Sequence, residues 1–216
     1  MKKYPFLLTA MLILVGPPAV AVDLENGEEI NQVCAACHGE FGQGGKGGEY
    51  PRLAGLPAEY IADQLRKFKG RHRINLPMLP YATDREVPED QIMDIATYLS
   101  SIQLMNKFPE QDAPTDAFAR LMLARKVLNI PRWEGDIEAG RKLYKWDCAG
   151  CHGRDGLGKP KWNAPPLAGQ YSEYLERQIQ KFCTGEREHE DAELYFSELS
   201  EKDIQDMLAY LSILDD

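Results

Sequence analysis

Two short clusters in this 216-residue chain carry chemistry: Cys34-Ala35-Ala36-Cys37-His38 and Cys148-Ala149-Gly150-Cys151-His152. Two thiols three positions apart, followed at once by an imidazole, suit thioether attachment to both vinyl groups of one haem, with the imidazole beneath the iron. Zinc is a competing use of such thiols, but it wants a second ligand pair in the same unit, and these pairs stand 114 residues apart. A redox dithiol expects a βαβ pattern, and strand-like alternation is almost absent here. The expectation is two covalently bound haem c groups, tethered by Cys34 and Cys37 and by Cys148 and Cys151, with His38 and His152 on the irons.

Haem iron in an electron carrier usually takes a second axial ligand, commonly Met or His. In the first half that candidate is Met78, in Leu76-Pro77-Met78-Leu79-Pro80. Its flanking prolines forbid a regular helix and predict an extended loop presenting the thioether. Met93, Met122 and Met207 fall within helical patterns and read as core. His72 rivals Met78, but Arg71 and Arg73 beside it read as a solvated basic turn. The second half has no matching Met: Glu190, Asp191 or Ala192 aligns with Met78, and His189 stands immediately beside them. His189 reads as a solvated side chain in an acidic run, or as a second imidazole made a stronger donor by carboxylates. A third option leaves the sixth position of that iron empty. The bis-histidine reading is preferred. Cys183, the odd thiol, reads as a buried structural cysteine, with thiolate ligation as the alternative.

These residues sit in a duplicated frame. At an offset of 114, Pro51 meets Pro165, Leu53-Ala54-Gly55 meets Leu167-Ala168-Gly169, Glu59-Tyr60 meets Glu173-Tyr174, and Gln64 meets Gln178. Nearer each end the offset falls to 112, where Tyr98-Leu99 meets Tyr210-Leu211, so the second copy carries a two-residue deletion. Each copy predicts a helix from about Gly27 or Gly140 into the Cys-x-x-Cys-His cluster and a Gly-rich loop. Further helices are expected over 57–69 and 88–102 in the first copy, and over 173–183 and 201–214 in the second. The class is all-α. Residues 103–137 read as a linker with one helix over 116–129, started by Thr115 or Asp116 and stopped by Pro131.

Lys2 and Lys3, an apolar run over 6–15 and Ala19-Val20-Ala21 give residues 1–21 the pattern of a cleaved export signal. Ten apolar residues are too few to span about 30 Å of hydrocarbon. Removing Lys2 and Lys3 takes the formal charge from -9 to -11. A sequence pI near 5.0 argues against nucleic acid as a partner, and no later segment is apolar enough to span a bilayer.

With the doubled cluster and repeated helices in place, the chain resembles dihaem cytochromes of the c4 type, two class I cytochrome c domains fused head to tail. The resemblance covers nearly all of 23–216 except the linker, with domains over 22–102 and 138–216. It implies that Pro51 and Pro165, in Pro-x-Leu elements, accept a hydrogen bond from the proximal imidazoles through their carbonyls, orienting the rings. It implies Met78 as the distal ligand, and the second half departs from it by lacking one. The expected function is periplasmic electron transfer between redox partners, a membrane-associated oxidase or reductase complex among them. Met/His ligation raises haem potential, so electrons are expected to step from the His152/His189 site to the His38/Met78 site. Two alternatives remain open: the haem subunit of an oxidoreductase, like that of flavocytochrome c sulfide dehydrogenases, and a small dihaem peroxidase or thiosulfate dehydrogenase with an open or Cys-ligated iron.

Overall fold

The computed structural model describes residues 21–110 and 116–214. The expected export signal lies outside them but for Ala21, as does Thr115. No strand occurs among the described residues; the backbone is helical, with isolated bridges such as Gly45 to Tyr50 and Lys159 to Ala164.

Each half is a frame of three principal helices. In the first, α1 (Leu24–His38) crosses α3 (Ile92–Ser101), and α2 (Ala58–Lys69) packs on α3. The core there comprises Leu56, Ile61, Ala62, Val87, Ile92, Ile95, Ala96 and Leu99. After α4 (Ala117–Ala124), the second half repeats the frame with α5 (Ile137–Leu143), α7 (Ser172–Cys183) and α9 (Glu201–Leu211). Tyr144, Leu175, Ile179, Ile204, Met207, Leu208 and Leu211 fill its core. Two short helices complete that half, α6 (Ala149–His152) and α8 (Ala192–Phe196).

The first helix of each half starts earlier than its glycine. Asp23 caps α1 by accepting from the Glu25 and Asn26 N–H groups, and Asp136 caps α5 through those of Glu138 and Ala139. Each capping residue in turn donates its own N–H, at 2.8 Å, to a carboxylate on the crossing helix: Asp23 to Asp94, and Asp136 to Asp206. The glycines lie at the crossing instead. A Cβ on Gly27 would stand 2.4 Å from the Asp94 carbonyl oxygen, and one on Gly140 only 1.9 Å from that of Asp206.

The two first helices also differ in length. Asp23 to Cys34 is eleven positions and Asp136 to Cys148 is twelve. The extra residue is absorbed in a π-type turn over Tyr144–Cys148, between α5 and α6. Such a bulge accepts one residue without breaking the helix, and it recurs at functional sites.

The linker helix is shorter than expected. Asp116 caps it by accepting from the Ala119 N–H, but it ends at Ala124. Beyond it Leu128 N–H bonds the Met105 carbonyl at 2.6 Å. The linker touches both halves in turn: Arg125 pairs with Glu40 at 2.5 Å, while the Trp133 N–H donates to Ser212 Oγ at 3.0 Å. No helix of the described residues is long and apolar enough to cross a membrane.

Candidate haem sites and the contact between the halves

The Gly-rich loop after each cluster is pinned to the helix end it leaves. Gly44 N–H donates to the His38 carbonyl and Gly158 N–H to that of His152, both at 2.7 Å. Both glycines have positive φ, +83° and +77°, and a Cβ on Gly158 would lie 2.5 Å from the Ala164 oxygen. The loop thereby returns to bring Pro51 and Pro165 under the imidazoles. His38 Nδ1 lies 2.9 Å from the Pro51 carbonyl, and His152 Nδ1 lies 2.9 Å from that of Pro165. A carbonyl only accepts, so Nδ1 carries the proton and donates, which leaves the Nε2 lone pair of each ring free for a metal. Burial lowers the pKa of both histidines, with the proline carbonyl bond partly opposing it. Both rings are therefore neutral at pH 7, the form that ligates.

The thiols are held beside these rings. Burial pushes the Cys34 thiol up to about 11 and that of Cys148 up to about 12, the opposite direction to an activated redox thiol. No disulfide joins any of the five cysteines. Cys148 Sγ lies 3.7 Å from Met207 Sδ, within the core.

His189 faces His152. Their ring centres are 6.3 Å apart with 31° between the planes. Two imidazole–metal bonds of about 2 Å, plus roughly 1.1 Å from each nitrogen to its ring centre, require about 6.2 Å. His189 Nδ1 donates to the Glu190 backbone carbonyl at 2.7 Å, so its Nε2 is also free. Phe182 and Phe196 hold the ring edge-on, each at 4.9 Å. The expected carboxylate partner is thus replaced by a peptide carbonyl, and a solvated surface histidine by one set among aromatics. These residues fit a haem iron between the two rings.

Met78 departs from the expected backbone. Instead of an extended loop, Leu76–Met78 forms a 3-10 turn, and Met78 N–H donates to the Asn75 carbonyl at 2.9 Å. Pro77 is tolerated because it stands in the first turn, where its missing N–H has no helical partner. Met78 is half-buried.

Two surface expectations are corrected. Cys183 is exposed rather than buried, at the end of α7 with its thiol 3.7 Å from the Phe196 carbonyl. Arg73 is buried rather than solvated, because it is drawn into the contact between the halves. Its guanidinium stacks over Phe68 at 4.5 Å and donates to Gln64 (2.7 Å), Tyr174 (3.0 Å) and Gln178 (3.0 Å). Arg187 mirrors it, lying over Phe182 at 4.8 Å and donating to Gln178 (2.7 Å), Tyr60 (3.0 Å) and Gln64 (3.2 Å). The Tyr and Gln pairs were visible in the repeat; Arg73 and Arg187 share the same offset of 114 and complete the network. Gln170 adds a second tie, accepting from the Arg52 N–H and donating to its carbonyl, both at 3.0 Å.

Comparison with known proteins agrees with this duplication. The Cytochrome c family model matches residues 24–103 and again 137–215. A thiosulfate dehydrogenase electron acceptor of Thiomonas intermedia (strain K12) is 36% identical over 154 residues, which is 71% of this chain and 64% of that protein, so the match spans just under two thirds of the relative. Cytochrome c4 of Stutzerimonas stutzeri is 28% identical over 225 residues, with 98% of each chain covered. The crystal structure of reduced recombinant cytochrome c4 from Pseudomonas stutzeri superposes with a TM-score of 0.69 at 25% identity, over 90% of this chain and 100% of that one.

Proposed function

The chain belongs to the cytochrome c family, as a dihaem electron-transfer cytochrome of the c4 type with two covalently bound haem c groups, and from that premise we propose a periplasmic carrier whose irons are held by His38 with Met78 and by His152 with His189. The haem supplies a one-electron ferric–ferrous couple. The chain supplies position, insulation and tuning. Pro51 and Pro165 fix the tautomer and tilt of the proximal rings, which makes each Nε2 a better donor. A thioether at one site and an imidazole at the other set the two potentials apart, with the Met78 site higher. Electrons then enter at the second half and leave from the first.

One observation carries the reading: the 6.3 Å between the His152 and His189 rings. A protein donor on each side of the iron favours outer-sphere transfer over a reaction at an open position. Cys183, exposed at the end of α7 and bonded to the Phe196 carbonyl, gives no support to thiolate ligation. The relative named as a thiosulfate dehydrogenase electron acceptor supports a donor of that class. The leader pattern of residues 1–21 supports export.

Absorption and magnetic circular dichroism of the holoprotein test the ligands. His189→Ala is expected to convert the second haem to high spin or to a water-ligated form, and Met78→Ala to abolish the long-wavelength ferric Met–iron band. A second haem that stays low-spin and unshifted in His189→Ala overturns the bis-histidine site. Survival of the Met–iron band in Met78→Ala overturns the other.

A further inference from the structure

Trp146 is 87% exposed and Trp162 51% exposed. Both flank the second Cys-x-x-Cys-His cluster. Trp162 ends the short turn Pro160–Trp162, and two ammonium groups lie over its ring, Lys159 at 4.6 Å and Lys161 at 4.8 Å from the centroid. Lys159 also donates to the Gly150 carbonyl at 2.5 Å. That bond ties the lysine–tryptophan turn onto the cluster itself, beside the exposed Cys151.

The charge here runs against that of the molecule. Residues 142–162 carry five Lys or Arg (Lys142, Lys145, Arg154, Lys159, Lys161) against Asp147 and Asp155, a local excess of three positive charges. The chain as a whole is at -9. Among the described residues, none of Lys145, Arg154, Lys159 and Lys161 forms an ion pair with a carboxylate. The duplicated loop in the first half has no such surface. Gly47 and Gly48 stand where Lys161 and Trp162 do, and Arg177 of α7 bonds the Gly48 carbonyl, so that loop is covered by the second half.

We infer that Trp146, Lys159, Lys161 and Trp162 form the docking surface through which an acidic one-electron redox protein delivers its electron to the second half. The inference rests on the carrier function proposed above and names the partner's face. At physiological ionic strength the Debye length is about 8 Å, so a local cationic patch governs close contact although the whole chain is anionic. Tryptophan is enriched at binding hot spots, so the two exposed rings supply apolar anchors, and the two lysines over Trp162 supply charged guides. An anionic lipid surface is a poorer occupant, since an extended plane brings the neighbouring acidic side chains into range along with the patch. The step itself is simple. One electron leaves the partner's centre, which is oxidised by one unit, and the ferric iron of the second half becomes ferrous, with no bond or proton transferred.

Stopped-flow oxidation of the fully reduced holoprotein by hexacyanoferrate(III), and separately by the cation tris(phenanthroline)cobalt(III), reads the field at this surface. The anion is expected to react more slowly as salt rises from 10 to about 200 mM, the sign of attraction. Lys159→Glu/Lys161→Glu is expected to slow it about tenfold at low salt and reverse the trend, while the cobalt reagent moves the opposite way. Polyglutamate is expected to inhibit the anionic reaction of the wild type and not that of the double variant. An anion rate that rises with salt in the wild type, or a double variant that reacts as the wild type does, overturns the patch. Co-sedimentation with phosphatidylglycerol vesicles that is lost in the double variant assigns the patch to lipid and overturns the protein partner. A chain that bleaches with neither reagent instead overturns the carrier reading beneath.

Discussion

Gly140→Ala is the perturbation whose cost follows most directly from the crossing of α5 and α9. The new Cβ would stand 1.9 Å from the Asp206 carbonyl oxygen, 2.4 Å from its carbon and 2.8 Å from the Met207 nitrogen, whereas ordinary contact begins at 3.4 Å. Helices α5 and α9 must part by about 1.5 Å there, and the obstructing atoms are backbone that no rotamer change removes. Overpacking costs about 1–3 kcal/mol, and this case belongs at the upper end. Helix propensity acts the other way, favouring Ala over Gly by about 0.5–1 kcal/mol. The net loss is then about 2 kcal/mol. For a unit of roughly 80 residues that lowers the melting temperature by about 8–16 °C. Thermal melts of the holoprotein, followed by hydrogen exchange in 137–152 and 201–211, measure it. Gly27→Ala should cost less, since its nearest obstruction is at 2.4 Å, and Gly150→Ala should be neutral or stabilising because nothing lies within 4 Å. A Gly140→Ala protein as stable as the wild type, or any other order of the three, refutes the close crossing as the reason for these glycines.

The paired arginines predict coupling between the halves. Arg73→Ala or Arg187→Ala should each cost about 1–3 kcal/mol through stranded Gln and Tyr groups, and calorimetry should then show the halves unfolding separately. Because Gln64 and Gln178 accept from both guanidiniums, full additivity in the double variant would sink the shared network. Asp206 predicts an acid limit. Bonds from Lys202 and from the Asp136 N–H hold its carboxyl below the usual 3.8. A depressed folded pKa gives stability that is complete above the unfolded value and lost as pH falls through the folded one. Acid unfolding of the second half should therefore steepen below pH about 4, and Asp206→Asn should flatten that dependence; an unchanged acid profile counts against it.

The two haem-binding clusters were legible as motifs because their chemistry is local: five consecutive residues carry both the thiols and the imidazole. The proline carbonyls beneath the rings were implied by resemblance rather than by spacing, and the loop that delivers them is held by backbone bonds that leave only glycines as a trace. The helix starts were missed by three residues because Gly27 and Gly140 suggested a beginning, whereas they mark a close approach to another helix. Asp23 and Asp136, the true caps, look like ordinary acidic residues until the crossing helix is placed. Arg73 misled in a similar way. A run of basic residues suggests solvent, and only the second half shows that one of them turns inward onto Tyr174 and Gln178.

The difference between the halves comes down to two local changes of length in a shared frame. One residue is gained before Cys148 and taken up by the Tyr144–Cys148 turn. Tyr144 is fully buried there, and its hydroxyl donates to the Gly153 carbonyl at 2.7 Å, just past the proximal histidine. The insertion is thus bound into the core, and it leaves the His152–Pro165 contact at 2.9 Å, the value for His38–Pro51. Two residues are lost between Arg187 and Asp206, in the stretch that holds Met78 in the first half. Arg187 and Asp206 keep the roles of Arg73 and Asp94 on either side of the deletion, so the change is confined to the distal segment. That segment refolds as α8, with Phe196 and Phe182 holding His189 against His152. With the proximal sides alike in geometry, the proposed gap in potential between the two irons would trace to the distal side and its charges. Replacing His189 by Met should therefore bring the second potential towards the first, whereas changes to Pro165 should move it without closing the gap.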